Sequence, residues 1–101
     1  MMFFLKKSNR KNKKYQIAIL DNNTLNTIHF GHKGYSDYTI HKDDYRKKLY
    51  IKRHETRENW NKSGIVTAGF WSRWLLWNEE TLLKSIKSIE KKFNIKIINL
   101  I

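Results

Sequence analysis

Lys14-Tyr15-Gln16-Ile17-Ala18-Ile19-Leu20 alternates polar and apolar positions, the two-residue period of a half-buried strand. Asp21-Asn22-Asn23 follows as a turn signal, because Asx side chains bond to nearby backbone and tolerate left-handed conformation. Leu25 to Phe30 reads as the return strand, so residues 14–31 are predicted to form a β-hairpin. Gly31 and Gly34 bracket His32-Lys33 and permit a tight turn or bulge with positive φ.

Beyond Tyr35-Ser36-Asp37-Tyr38-Thr39 the pattern turns helical, from about Ile40 to Arg53, with Tyr45 and Leu49 on one face. Asp43 and Asp44 suit the positive end of its first turn. Residues 54–64 are polar around Trp60 and Gly64 and read as a loop. From Ala68 to Trp77, Phe70, Trp74 and Trp77 recur at i, i+4, i+7, beside a row of Trp71 and Leu75, which predicts a short helix with a wide apolar face. Asn78 is placed to cap a following helix, with Glu79 and Glu80 in its first turn and Trp77 stapled to Leu82. That helix carries Leu82, Leu83, Ile86, Ile89, Glu90 and Phe93 on a stripe flanked by lysines, and Asn94 can end it. Ile95-Lys96-Ile97-Ile98 is expected to return as a strand beside the hairpin.

The stretch Gly64 to Asn78 holds three of the four tryptophans. Each buried indole removes roughly 200 Å² from water, about 5 kcal/mol gross at ~25 cal/mol per Å². A chain of 101 residues forms one domain with one core, and the indoles are expected to fill it. Docking on another protein is the alternative use of these rings, since Trp and Arg are favoured at interfaces; Arg73, between Trp71 and Trp74, is placed to stack on a ring.

Charge changes the picture most. The formal net charge is +12, with 16 Lys and 5 Arg against 9 acids. Abundant Lys, Asn and Ile with no Pro also reflect AT-rich coding, which supplies lysine without selection for binding. The balance still attracts polyanions at low salt. Lys6, Lys7, Arg10, Lys11, Lys13 and Lys14 read as a basic arm, placing an N-terminal arm at 1–13 before a domain at 14–101. With no cysteine, disulfides, thiolate metal sites and cysteine catalysis are excluded. The opening Met1-Met2-Phe3-Phe4-Leu5 is too short for a secretory apolar segment, and no run approaches a membrane span.

Several segments carry a resemblance: Ile28-His29-Phe30-Gly31, Gly34-Tyr35-Ser36-Asp37-Tyr38-Thr39, His41-Lys42-Asp43, Tyr50-Ile51-Lys52-Arg53-His54, Glu58-Asn59-Trp60 and Thr67 to Asn78. Across roughly residues 10–96 the chain resembles a small family of uncharacterised proteins encoded by giant nucleocytoplasmic DNA viruses. The resemblance implies a viral setting and transfers no catalytic residue.

Three constellations offer chemistry. His29 to Thr39 sets polar side chains and Lys33 between glycines, as a phosphate-contacting loop would, or as a turn that satisfies its own backbone. His29-x-x-His32 with His41, His54 and Asp37 has metal-ligand types, but i and i+3 point to opposite faces of a strand. His54, Glu55, Glu58 and Asn59, or Asp43 and Asp44, supply nuclease-type groups without a recognised spacing. The basic helix is the fourth and strongest signal, with eight bases against four acids in residues 42–62.

The sequence thus predicts an α+β domain, a hairpin packed on two or three helices through Ile17, Ile19, Phe30, Leu49, Phe70, Trp74, Leu82, Ile86 and Ile89. The expected function is non-specific nucleic-acid binding, DNA before RNA, by a viral accessory protein in the host cytoplasm or virion. The expected contacts are Lys11, Lys13, Lys14, Lys33, Lys42, Arg46, Lys47, Arg53, Arg57 and Arg73, with Tyr35, Tyr38, Tyr50 or Trp60 stacking on unpaired bases. No cofactor, metal or membrane is expected. A structural module docking through its aromatics and a metal-dependent nuclease are the alternative readings.

Overall fold

The computed structural model describes residues 1–101. Four strands form one sheet: β1 (Met2–Lys7), β2 (Lys13–Asp21), β3 (Thr24–His32) and β4 (Ile97–Asn99), in the order β3-β2-β1-β4. The helices are α1 (Tyr38–His41), α2 (Asp44–His54), α3 (Ala68–Trp71), continued by a π-helical turn Ser72–Leu76, and α4 (Leu82–Phe93). A 3₁₀ turn at Lys62–Gly64 punctuates the long loop. The α+β architecture with a closing strand is as expected.

The hairpin forms as read: β2 and β3 pair antiparallel with Ile17 opposite Ile28 and Tyr15 opposite Phe30. Asn22 takes φ 56° in its connection, the left-handed backbone that Asn tolerates. One face of the sheet carries Phe3, Leu5, Ile17, Ile19, Ile28, Phe30 and Ile97 into the core. It meets Ile65, Phe70, Trp71, Leu75, Leu76, Ile86, Ile89 and Phe93 from the helical layer. Trp71 is fully buried, and its indole N–H donates to the Ile65 carbonyl at 2.7 Å, so the ring enters the core with its polar atom satisfied.

The expected N-terminal arm is corrected. Met2–Lys7 is an inner strand, antiparallel to β2 and parallel to β4. Phe3 and Leu5 face the core, while Phe4 lies on the opposite face. Apolar residues on both faces hide the alternation that would announce a strand. The closing strand accordingly lies beside β1, not beside the hairpin.

The single helix over Ile40–Arg53 is corrected to two. Asp37 caps α1 through Thr39 N, and Asp43 caps α2 through Tyr45 N and Arg46 N. Lys42 between them turns left-handed at φ 54°. The inward residue of α2 is Tyr50; Tyr45 is exposed and Leu49 lies outside the core cluster. Trp74 and Leu82 pack at the margin of the core rather than within it.

The cap of α4 is Thr81, whose hydroxyl accepts from Lys84 N at 3.1 Å, not Asn78. Glu79 and Glu80 therefore precede the helix, and the expected Trp77–Leu82 staple does not have its register. Asn78 instead donates from its side chain to Ser88 Oγ at 3.2 Å. Asn94 ends α4 at φ 54°, as read.

Candidate functional site

Three features that stood apart in the sequence converge on one cleft of about 360 Å³. The glycine-bracketed loop contributes Gly31, His32, Tyr35, Ser36 and Asp37. The basic helix α2 contributes Tyr50, Arg53 and His54, and the tryptophan-rich segment contributes Ser72, Leu76 and Trp77. Lys14, on β2, completes the lining. A larger hollow of about 700 Å³ beside Met1, Phe3, Ile65 and Ile95 has Lys62 and Lys96 as its only titratable side chains, so it offers less chemistry.

Each wall is fixed by a local cause. Gly31 has φ 77°, and a Cβ there would come within 2.8 Å of Leu76 Cδ1. A side chain at this position would drive the loop off the π-helical turn. That turn closes with Trp77 N donating to the Ser72 carbonyl, a five-residue span that turns Ser72 and Leu76 to the cleft. The Tyr50 ring stacks between His54 and Trp77, with centroids 4.3 Å from each.

Lys14 and Asp37 form an ion pair at 2.6 Å, with side chains 15% and 3% exposed. Asp37 also accepts from Thr39 N at 2.9 Å and from the Thr39 hydroxyl. Both oxygens of its carboxylate are thus engaged, and the pair forms a neutral wall that pins the loop to β2.

His54 is held by Glu58. His54 Nδ1 lies 3.3 Å from Glu58 Oε2, while Glu58 Oε1 accepts the Trp60 indole N–H at 3.0 Å. Space for this carboxyl is left by Gly69, where a Cβ would lie 2.8 Å from Glu58 Cδ. With Nδ1 engaged, His54 has Nε2 as its free nitrogen. Burial pushes the Tyr50 phenol above its ordinary range; a 3.4 Å hydrogen bond to Ser72 acts against this more weakly. Beside the cleft, Tyr38 donates to Asp44 Oδ1 at 2.6 Å, and that bond, with burial and the nearby carboxylates, pushes its phenol up to about 12.

The expected cationic contacts divide into two groups. Four are engaged within the fold. Lys14 is paired with Asp37, Lys42 donates to the Thr39 carbonyl at 2.7 Å, and Lys47 donates to the Asn78 carbonyl at 2.6 Å while lying over the Tyr38 ring. Arg73 donates to the Trp77 carbonyl at 2.6 Å and lies over Trp74 and Trp60; burial lowers its pKa. Its stacking partner is Trp74, as one of the two rings that the sequence offered. The second group, Lys11, Lys13, Lys33, Arg46, Arg53 and Arg57, makes no side-chain hydrogen bond or ion pair.

Some of these free cations are brought together. Lys33 N donates to the Asn12 carbonyl, and Lys13 stands opposite His32 in the sheet. Lys11, Lys13 and Lys33 therefore share the end of the sheet from which the cleft loop departs. Burial lowers the His29 pKa, and the charges of Arg10 and Lys13 lower it further. Of the rings expected to stack on bases, Tyr38 and Tyr50 are buried and Trp60 is half-buried, which corrects that expectation. Tyr35 is 69% exposed and packs edge-on against His32.

Sequence reasoning missed Ser72, Leu76 and the Lys14–Asp37 pair. No short-range pattern announces a π-helical turn, and the ion pair spans 23 residues. His29 and His32 do point apart: His29 bonds to Ser8 Oγ at 2.7 Å, while His32 lines the cleft. No group of three or more His, Cys, Asp or Glu side chains is placed to hold a metal ion.

Residues 4–54 match the family of unknown function DUF5754, a stretch that covers half of the chain. It includes most of β1, all of β2 and β3, the glycine-bracketed loop and α2, and so two walls of the cleft. No curated protein and no solved structure matches the chain.

Proposed function

We propose that this chain, which belongs to the DUF5754 family, is an accessory protein of a large DNA virus that binds nucleic acid through phosphate contacts without regard to sequence. The viral setting rests on the resemblance of the segments around Gly31, Asp37, His54 and Trp71–Trp77. The binding reading rests on one observation: 21 Lys and Arg residues face 9 acids, yet Lys14–Asp37 is the only Lys or Arg ion pair with a carboxylate. Of the other acids, Asp43, Asp44, Glu58 and Glu90 are spent on caps and hydrogen bonds, and Asp21, Glu55, Glu79 and Glu80 pair with no Lys or Arg. The excess positive charge stays unneutralised and is available to a polyanion.

Lys11, Lys13, Lys33, Arg46, Arg53 and Arg57 are the contacts in this reading. Tryptophan docking on a virion protein draws less support, because Trp71 is fully buried and Trp74 and Trp77 are packed against the core. The test is equilibrium binding to unrelated DNAs over a salt series. With about five phosphates contacted on duplex DNA, log K against log salt should slope near −4 to −5. Absence of binding at about 50 mM salt, where such contacts are strongest, removes the reading.

A further inference from the structure

We propose that the cleft receives one unstacked nucleotide of a single-stranded nucleic acid, with its phosphate at Arg53 and the hydroxyls of Ser36 and Ser72, its base against Tyr35, and His54 Nε2 beside it as an acceptor for a base or sugar donor. This rests on the phosphate-directed reading above and names the subsite within it.

The lining has the two-part character such a ligand needs. Leu76, Tyr50 and Trp77 are apolar, while Arg53, His32, His54, Ser36 and Ser72 are polar. A pocket of about 360 Å³ is at the small end of the range for small-molecule sites, and suits one nucleotide rather than a helix. The polar groups are also unspent. Arg53 and His32 have no internal hydrogen bond, Ser36 Oγ has none, and Ser72 Oγ has only the long contact from Tyr50. By contrast Lys14 and Asp37 cancel each other. Arg53 is then the one uncompensated permanent charge of the lining, which matches the single charge of a phosphodiester.

The lining is also held in place before any ligand arrives. Glu58 fixes the His54 ring, Tyr50 is clamped between His54 and Trp77, and Gly31 locks the loop against Leu76. Groups already ordered lose little entropy on binding. Tyr35 is exposed at the rim, where an aromatic face can take a base of any identity. A base inside a duplex is covered on both faces and cannot enter, so this cleft confers preference for single strands.

The experiment compares a fluorescent oligothymidylate with a duplex of equal length at fixed salt. In parallel, thymidine 5′-monophosphate and inorganic phosphate are titrated by tryptophan fluorescence and by the His54 imidazole signals in NMR. The single strand should bind at least about tenfold tighter than the duplex. The monophosphate should perturb His54 and compete with the strand, with inorganic phosphate weaker. Tyr35→Ala and Arg53→Ala, both at exposed side chains without internal bonds, should each weaken single-strand binding several-fold; Tyr35→Ala should leave duplex binding unchanged. Equal affinity for strand and duplex, with no competition by the monophosphate, overturns the cleft proposal while surface binding stands. Monophosphate binding without polymer binding overturns both the single-strand proposal and the surface reading. Inorganic phosphate binding as tightly as the nucleotide overturns the nucleotide assignment.

Discussion

Tyr50 and Trp77 lie face to face, with ring centroids 4.3 Å apart and planes within 3°. The two residues belong to different parts of the chain, α2 and the end of the π-helical turn. Their stack is reinforced nearby by Lys47 Nζ donating to the Asn78 carbonyl. α2 has few apolar residues and contributes none to the core cluster. Aromatic stacking and one charged hydrogen bond, not a hydrophobic face, therefore hold the basic helix to the domain and define one side of the cleft.

Tyr50→Ala should accordingly cost about 3–5 kcal/mol, the range for deleting a large buried ring. Tyr50→Phe should cost less than about 1 kcal/mol, since the hydroxyl makes only a 3.4 Å contact with Ser72. Urea denaturation followed by tryptophan fluorescence measures both. A large cost for Tyr50→Phe would show that the hydroxyl, not the stack, anchors the helix.

The two glycines of the cleft loop should respond differently to alanine. Both have positive φ, 77° at Gly31 and 88° at Gly34, so each substitution carries about 1–2 kcal/mol of backbone strain. Gly34 has open space around it, and its cost should stop there. At Gly31 the new methyl would also meet Leu76 Cδ1 at 2.8 Å and Lys14 Cβ at 3.2 Å. Gly31→Ala should therefore be the more damaging by roughly 1–3 kcal/mol of overpacking, and Leu76→Val should relieve part of it. Equal costs at the two positions in thermal unfolding would refute the close approach.

The hairpin was legible because Tyr15, Ile17 and Ile19 alternate with polar or small residues, and because Asn22 and Asn23 permit a tight turn. The tryptophan segment was legible as helix and core for the same kind of local reason. β1 was not, because Phe4 adds apolar character to the face away from the helices. Asp37 and Asp43 are each good caps, yet a smooth helical pattern across Ile40–Arg53 masked the break between them. The cleft was legible only in pieces. The loop, the His54–Glu58 neighbourhood and the Trp71–Trp77 run each stood out. Their meeting depends on contacts such as Lys14 with Asp37 and Gly31 with Leu76, which local periodicity does not encode.

Stability should fall as pH drops below neutrality, partly through His41. Its Nδ1 accepts from Asp43 N at 2.9 Å, and its Nε2 is buried without a partner. Burial lowers its pKa, Arg46 lowers it further, and Asp43 and Asp37 pull the other way. The unfolded chain then takes up this proton near pH ~6.5, before the folded protein does. The stabilisation is complete above that pH and is lost as the pH falls toward the lower, folded value. His29 acts in the same direction. The midpoint of thermal unfolding should decline between about pH 7.5 and pH 5.5, and His41→Asn should flatten the decline. An unchanged slope in the variant would assign the pH dependence elsewhere.

The cations should separate into two classes when nucleic-acid binding is measured against salt. Lys14 and Arg73 are engaged internally, at 2.6 Å to Asp37 and to the Trp77 carbonyl. Removing either should destabilise the protein and leave the salt slope of the folded variant unchanged. Removing Lys14 alone would strand the buried Asp37 carboxylate, so Lys14→Met is best paired with Asp37→Asn, which keeps an acceptor for Thr39 N. Lys11, Lys13, Lys33 and Arg57 are free and exposed or partly exposed. Each of these changed to alanine should leave unfolding within about 0.5 kcal/mol of the parent and make the slope shallower by about 1. A slope that falls equally for Lys14 and for Lys33 would mean that the ion pair opens to phosphate, and that the cleft wall is not fixed.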